Sequence, residues 1–168
     1  SPWSFPGAEK FQHKLAKKTG SSGHLETPYQ WLTSLKADTI IAFFGYNSAF
    51  EKGEHGIDNY KAELEAFLAH TLSQRYNGKQ APQVALVSPT AFEDLSQQFN
   101  TPNGKSENDI LAKYTEAMKE VAQKMQVHFV DAYTPSKGWY DSSKENLTID
   151  GALLSSSGYK KFATFLAN

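Results

Sequence analysis

The chain has 168 residues, enough for one domain with a real core, since a domain near this size buries roughly 70% of the surface its unfolded chain exposes. Its 17 basic and 18 acidic residues leave a net charge of -1 spread along the chain, which gives neither the electrostatic footprint of a nucleic-acid binder nor a polybasic membrane anchor. The lack of cysteine excludes disulfides, thiolate catalysis and cysteine-ligated metal or haem, and the longest strongly apolar run, Ile40 to Phe44, is far short of the about 20 residues that span a bilayer.

In chain order, SPWSFPG reads as irregular chain, GAEKFQHKLAKKTG as a short helix stopped at Gly20, SSGH as a loop and TPYQWLTSLKA as another helical turn or two. Three short apolar runs follow, TIIAFF from Thr39 to Phe44, VALV from Val84 to Val87 and VHFV from Val127 to Val130. They are too brief and too rich in β-branched and aromatic residues for buried helices, and predict strands. Between the first two, Ile57, Tyr60, Leu64, Phe67, Leu68 and Leu72 recur at helical spacing, with Asp58 at the start and Asn77-Gly78 at the end. Between the second and third, Leu111, Tyr114, Met118, Val121 and Met125 do the same, after a capping-box variant over Ser106 to Asp109. A last helix is expected over Ser156 to Leu166, with Tyr159 and Phe162 on one face.

Strand, long helix, strand, long helix, strand is the pattern of crossovers in a parallel sheet, so the fold class is α/β. Strands buried on both faces would explain why the three runs do not alternate polar and apolar residues. Three strands are few against the usual five or six, and the first would present an apolar edge unless covered. Further strands are therefore expected upstream. The chain starts at Ser1 and carries no signal peptide, which reads as a processed, tagged or truncated product.

Ligands of open parallel sheets bind beyond the carboxyl ends of the strands, which directs attention to Gly45-Tyr46-Asn47, Ser88-Pro89-Thr90 and Asp131. No glycine-rich phosphate loop follows any strand, which removes most support for nucleotide binding. Gly45 and Asn47 have two readings: an ordinary turn, or a close backbone approach with an amide able to donate to an oxyanion. Asp150 likewise either orients a histidine or bonds the amides of its own turn. Ser88, beside Pro89 and without an elbow motif, is a poor nucleophile candidate. His128 falls in a strand expected to be buried, where a satisfied core imidazole is the commoner outcome. The other histidines, His13, His24, His55 and His70, carry no partner motif, and no metal-ligand spacing occurs among the five. No cofactor is expected.

FFGYN and DGALLSSSGY together resemble the SGNH or GDSL family of serine esterases and lipases, which implies a three-layer, flavodoxin-like α/β/α fold. In that family a strand ending G-x-N supplies an oxyanion-hole asparagine, and a late D-G-x-H-L loop supplies the acid and base of the triad. Gly45, Tyr46 and Asn47 match the first motif; Asp150, Gly151, Leu154, Gly158 and Tyr159 match the second in register. The likeness runs from about Lys36 to the end, through KADTIIAFFGYN, SPTAFEDL and VDAYTPSKGWY, in the manner of exported planctomycete-type members. It implies an oxyanion hole at Gly45 and Asn47, a triad acid at Asp150 and a periplasmic or extracellular location.

Three departures qualify what the resemblance implies. No GDS nucleophile motif occurs, the block contributing an oxyanion-hole glycine has no match, and Leu153 stands at the histidine position. Leucine exchanges no proton, whereas a positioned base contributes typically 10² to 10⁴ in rate. Leu153 and Leu154 are expected instead to staple the last helix to the core ahead of its serine cap. Residues 1–168 thus read as one partial SGNH-like domain of esterase lineage, acting on acyl esters of carbohydrate. Two roles follow: a non-catalytic binding or packing module with a carbohydrate or small ester as ligand, or an active esterase completed by an upstream segment or second chain that supplies the serine.

Overall fold

The computed structural model describes residues 28–167. The helix expected before Gly20, with His13 and His24, lies outside them. Helix α1 (Pro28–Ser34) leads to strand β1 (Thr39–Phe43), followed by α2 (Tyr46–Lys52), a 3-10 turn (Gly53–Gly56) and α3 (Ile57–Ser73). Strand β2 (Gln83–Val87), α4 (Lys105–Met125), β3 (His128–Val130), α5 (Tyr133–Ser142) and α6 (Ser156–Leu166) complete the order. The strands pair in parallel in the order β1-β2-β3, Ile41 opposite Ala85 and Ala85 opposite His128. The fold is α/β with the crossovers in the two long helices, as the sequence predicts.

One face of the sheet carries the core. Ala42, Val84 and Leu86 meet Tyr60, Leu64, Phe67 and Leu68 of α3 and Leu111, Tyr114, Met118 and Val121 of α4. Each fully buried aliphatic or aromatic side chain contributes about 1.5–3 kcal/mol, so this interface dominates stability. Exposed ion pairs also bridge α3 to α4, Lys61 with Glu120 and Lys124 with Glu65. Such pairs add little beside the core.

The opposite face is only partly covered. Ile41 is 56% exposed and Phe43 54%, the latter touching α6 through Phe162 with ring centroids 6.1 Å apart. The expectation of strands buried on both faces therefore fails for β1, because burial is set by what packs outside the strand and not by its own composition. His128, on the same face, is exposed rather than a core imidazole. The capping box over Ser106 to Asp109 is also corrected. Helix α4 starts two residues earlier, after Gly104 in the left-handed region, and Ser106 Oγ lies 3.0 Å from Glu107 Oε2 without capping anything. Asn108 instead faces Phe92, accepting from its amide at 2.8 Å and donating to its carbonyl at 2.9 Å, which ties α4 to the segment after β2. Among the described residues no helix is long and apolar enough to cross a membrane.

Candidate functional site

Beyond β1 the chain reverses through Gly45, whose φ of +100° is costly for any residue with a side chain. A Cβ there would also stand 3.1 Å from the Tyr60 hydroxyl and 3.2 Å from Pro89 Cγ. Glycine is thus required twice, for the turn and for the close approach. The reversal sets Asn47 in the first turn of α2, exposed, with no hydrogen bond from its side chain to another described residue.

Beyond β2, Ser88 is 3% exposed and fully engaged. Its Oγ donates to Pro89 O at 3.1 Å and accepts from the amides of Ala132 at 2.9 Å and Tyr133 at 3.1 Å. It is a strut joining β2 to the start of α5. Asp131, after β3, accepts from the Thr134 amide at 3.0 Å.

The third contribution is the turn between α5 and α6. Thr148 and Leu154 form an antiparallel bridge, and Ile149 N–H donates to Leu153 O at 2.8 Å. Glu93, 6% exposed, accepts from the Leu147 amide at 3.1 Å, the Thr148 amide at 2.6 Å and the Thr148 hydroxyl at 2.5 Å. Its own amide donates to Gly151 O at 2.9 Å. Within the turn, Asp150 Oδ1 accepts from the amides of Ala152 at 2.9 Å and Leu153 at 2.8 Å. These bonds, the one from Leu153 foremost, hold the Asp150 carboxyl below the usual carboxylate range. Ser155 then caps α6, its hydroxyl accepting from Gly158 N–H.

Gly45, Asn47 and Leu153 line one cavity of about 410 Å³ at the carboxyl ends of β1 and β2, together with Tyr60, Pro89 and Phe162. Asp150 supports that wall from behind without lining it. Leu153 does not staple α6 to the core. It is 62% exposed at the cavity, because Leu154, its neighbour in extended chain, turns toward Gly158 and successive side chains point to opposite sides. None of the described histidines, His55, His70 and His128, lines the cavity. Among the described residues that line it none is charged, and Tyr46 and Tyr60 are raised above the usual phenol range chiefly by burial, so both stay protonated.

No family model and no curated protein matches the chain. Solved structures do: the acetylxylan esterase of Geobacillus stearothermophilus aligns with a TM-score of 0.59 over 92% of this chain at 16% identity, and a lipase/acylhydrolase of Enterococcus faecalis with 0.56 over 79% at 19%. The chain has an SGNH-like α/β fold. It spans 64% of the first of those proteins and 60% of the second.

On this fold the cavity offers a donor amide at Asn47, buried phenol groups and apolar walls, with a carboxylate just behind. It offers no imidazole from the described residues. Two participants escape sequence reasoning. Tyr60 looks like one more member of an apolar stripe, and Glu93 like one more polar residue after a strand. Glu93 and Asp94 stand side by side in the TAFEDL stretch, so no local signal singles out the buried one.

Proposed function

We propose that this esterase-like domain binds a neutral acyl ester of a carbohydrate without hydrolysing it, a pseudoenzyme reading. The observation that carries it is Leu153, exposed on the cavity wall and held there by Asp150, where a base would have to stand. A shared spacing supports this: catalytic mutants of the acetylxylan esterase alter a serine, an aspartate and a histidine, the last two three positions apart, as Asp150 and Leu153 are here. In this reading Asn47 and Gly45 hold the ligand carbonyl. The resemblance also supports export, to be checked by locating the protein in periplasmic or secreted fractions.

The partly bare β1 favours a second reading. Among the described residues β1 is an edge strand of the sheet, and in this reading an upstream segment or second chain pairs with it and brings a serine. One experiment separates the two. Acetylated xylotriose is titrated into the native protein under NMR observation, and the same sample is treated with a fluorophosphonate and weighed by intact mass spectrometry. Saturable shifts with neither acetate release nor probe adduct support the binding module. Acetate release with an adduct on any co-purifying chain supports the completed esterase, and no shifts at all would reject ester binding.

A further inference from the structure

Four large side chains converge on the cavity beyond β1. Phe43 comes from the end of β1, Leu153 from the turn before α6, and Tyr159 and Phe162 from successive turns of α6. Phe43 is 54% exposed, Leu153 62% and Tyr159 61%, and the ring of Phe43 lies 6.1 Å from that of Phe162, centroid to centroid. None of the four belongs to the buried core cluster, so the core does not account for their type. A single exposed leucine or phenylalanine is ordinary on a folded surface. Several gathered around one concavity of about 410 Å³ mark a place that holds an apolar group. The polar lining is set apart from them: Asn47 and Ser48 belong to the first turn of α2, and Ser88 is already committed to Pro89, Ala132 and Tyr133.

Resting on the ester-binding reading above, we propose that the acyl group of the ligand is longer than acetyl and lies against Phe43, Leu153, Tyr159 and Phe162, while its carbonyl stays with Gly45 and Asn47. Size and chemistry both select this occupant. An acetyl group ends in one methyl, which reaches one or two of the four side chains and leaves the others in water, whereas a chain of several methylenes covers them together. The sugar is a poor occupant of this side, because its hydroxyls would lose water against Phe43, Leu153 and Phe162, whose side chains offer no hydrogen bond. Leucine at 153 also adds aliphatic surface where a triad base would present a nitrogen. The residue that rules out proton transfer is thus the one that makes the wall apolar.

The test titrates methyl xyloside carrying one acetyl, butanoyl or hexanoyl ester into the full chain under NMR observation. Wild type is compared with Leu153→Asn, which nearly keeps the side-chain size and removes the aliphatic surface, and with Phe99→Ala, which removes an exposed ring outside the cavity. A fully buried methylene strengthens binding roughly fourfold, and these walls are partly open, so hexanoyl is expected to bind wild type roughly ten- to a hundredfold tighter than acetyl, with butanoyl between them. Leu153→Asn should cut that preference roughly threefold or more, and Phe99→Ala should leave it at its wild-type size. Hexanoyl no tighter than acetyl in wild type would overturn the proposal and leave ester binding intact. So would a preference that Leu153→Asn does not reduce, or that Phe99→Ala reduces equally, since the chain would then lie elsewhere. A wild type that binds none of the three esters would reject both readings. The wild-type series is decisive even where a variant fails to fold.

Discussion

The two walls of the cavity are built on opposite rules. In the 147–155 turn nearly every polar group is committed: Glu93 collects two amides and a hydroxyl, Asp150 two amides, and Ser155 the start of α6. Across the cavity, the exposed Asn47 side chain makes no hydrogen bond to other described residues. A wall whose bonds are all internal holds a shape, and a wall with donors left over can hold something else. That difference separates support from recognition where residue type alone does not, since both walls contain glycine, a carboxamide or carboxylate, and a hydroxyl.

The sharpest way to break this contrast is at Gly151. Its φ is +92°, and a Cβ would fall 2.3 Å from Phe92 Cε1 and 2.9 Å from Glu93 O. Overpacking costs typically 1–3 kcal/mol and a left-handed residue adds about 1–2, so Gly151→Ala should lose about 2–5 kcal/mol in urea unfolding. A loss under about 1 kcal/mol would mean that the turn yields and is no clamp. Next in size is Glu93→Gln. The amide oxygen takes over the bonds of one carboxylate oxygen, but the NH2 presents N–H groups to the donors that met the other, leaving a buried amide at Leu147 or Thr148 unpaired. The expected loss is about 2 kcal/mol, read by the same unfolding curve.

Much of the framework was legible because periodicity reports directly on long elements. The apolar stripes locate α3 and α4, and the serine cap and aromatic spacing locate α6 from Ser156 to Leu166. The three strands are found within a residue at each end. Helices α2 and α5 are not, because FFGYNSAF and VDAYTPSKGWY are full of turn formers and become helical through tertiary anchors, Ala49 at 1% exposure and Ser136 at 0%. Ser136 Oγ accepts from the Ala91 amide at 2.8 Å, a bond across 45 positions that no local pattern could announce. The candidate site shows the same division. Gly45, Asn47 and Leu153 were readable as motif positions and do share a cavity, whereas Tyr60 and the outward face of Leu153 depend on neighbours distant in sequence.

The smallest effect sharpens the contrast by testing whether Asp150 belongs wholly to the supporting wall. Its carboxyl lies below the usual carboxylate range in the folded chain, mainly through the amides of Leu153 and Ala152. The folded state therefore prefers the charged form more than the unfolded state does. The stabilisation is complete above the unfolded value of about 4 and is lost as pH falls through the lower, folded value. Because Asp150 is exposed, solvent screening keeps the contribution below about 1 kcal/mol. Melting wild type and Asp150→Ala side by side from pH 7 to pH 2 should show a small constant gap down to about pH 4 that narrows in more acid solution. A gap that widened in acid would mean the carboxyl is stabilised protonated, and the turn would then be held by a contact other than these two amides. If the gap behaves as expected and acetylated xylotriose still binds Asp150→Ala, the carboxylate acts through Leu153 alone, and polar recognition is confined to the Asn47 side of the cavity.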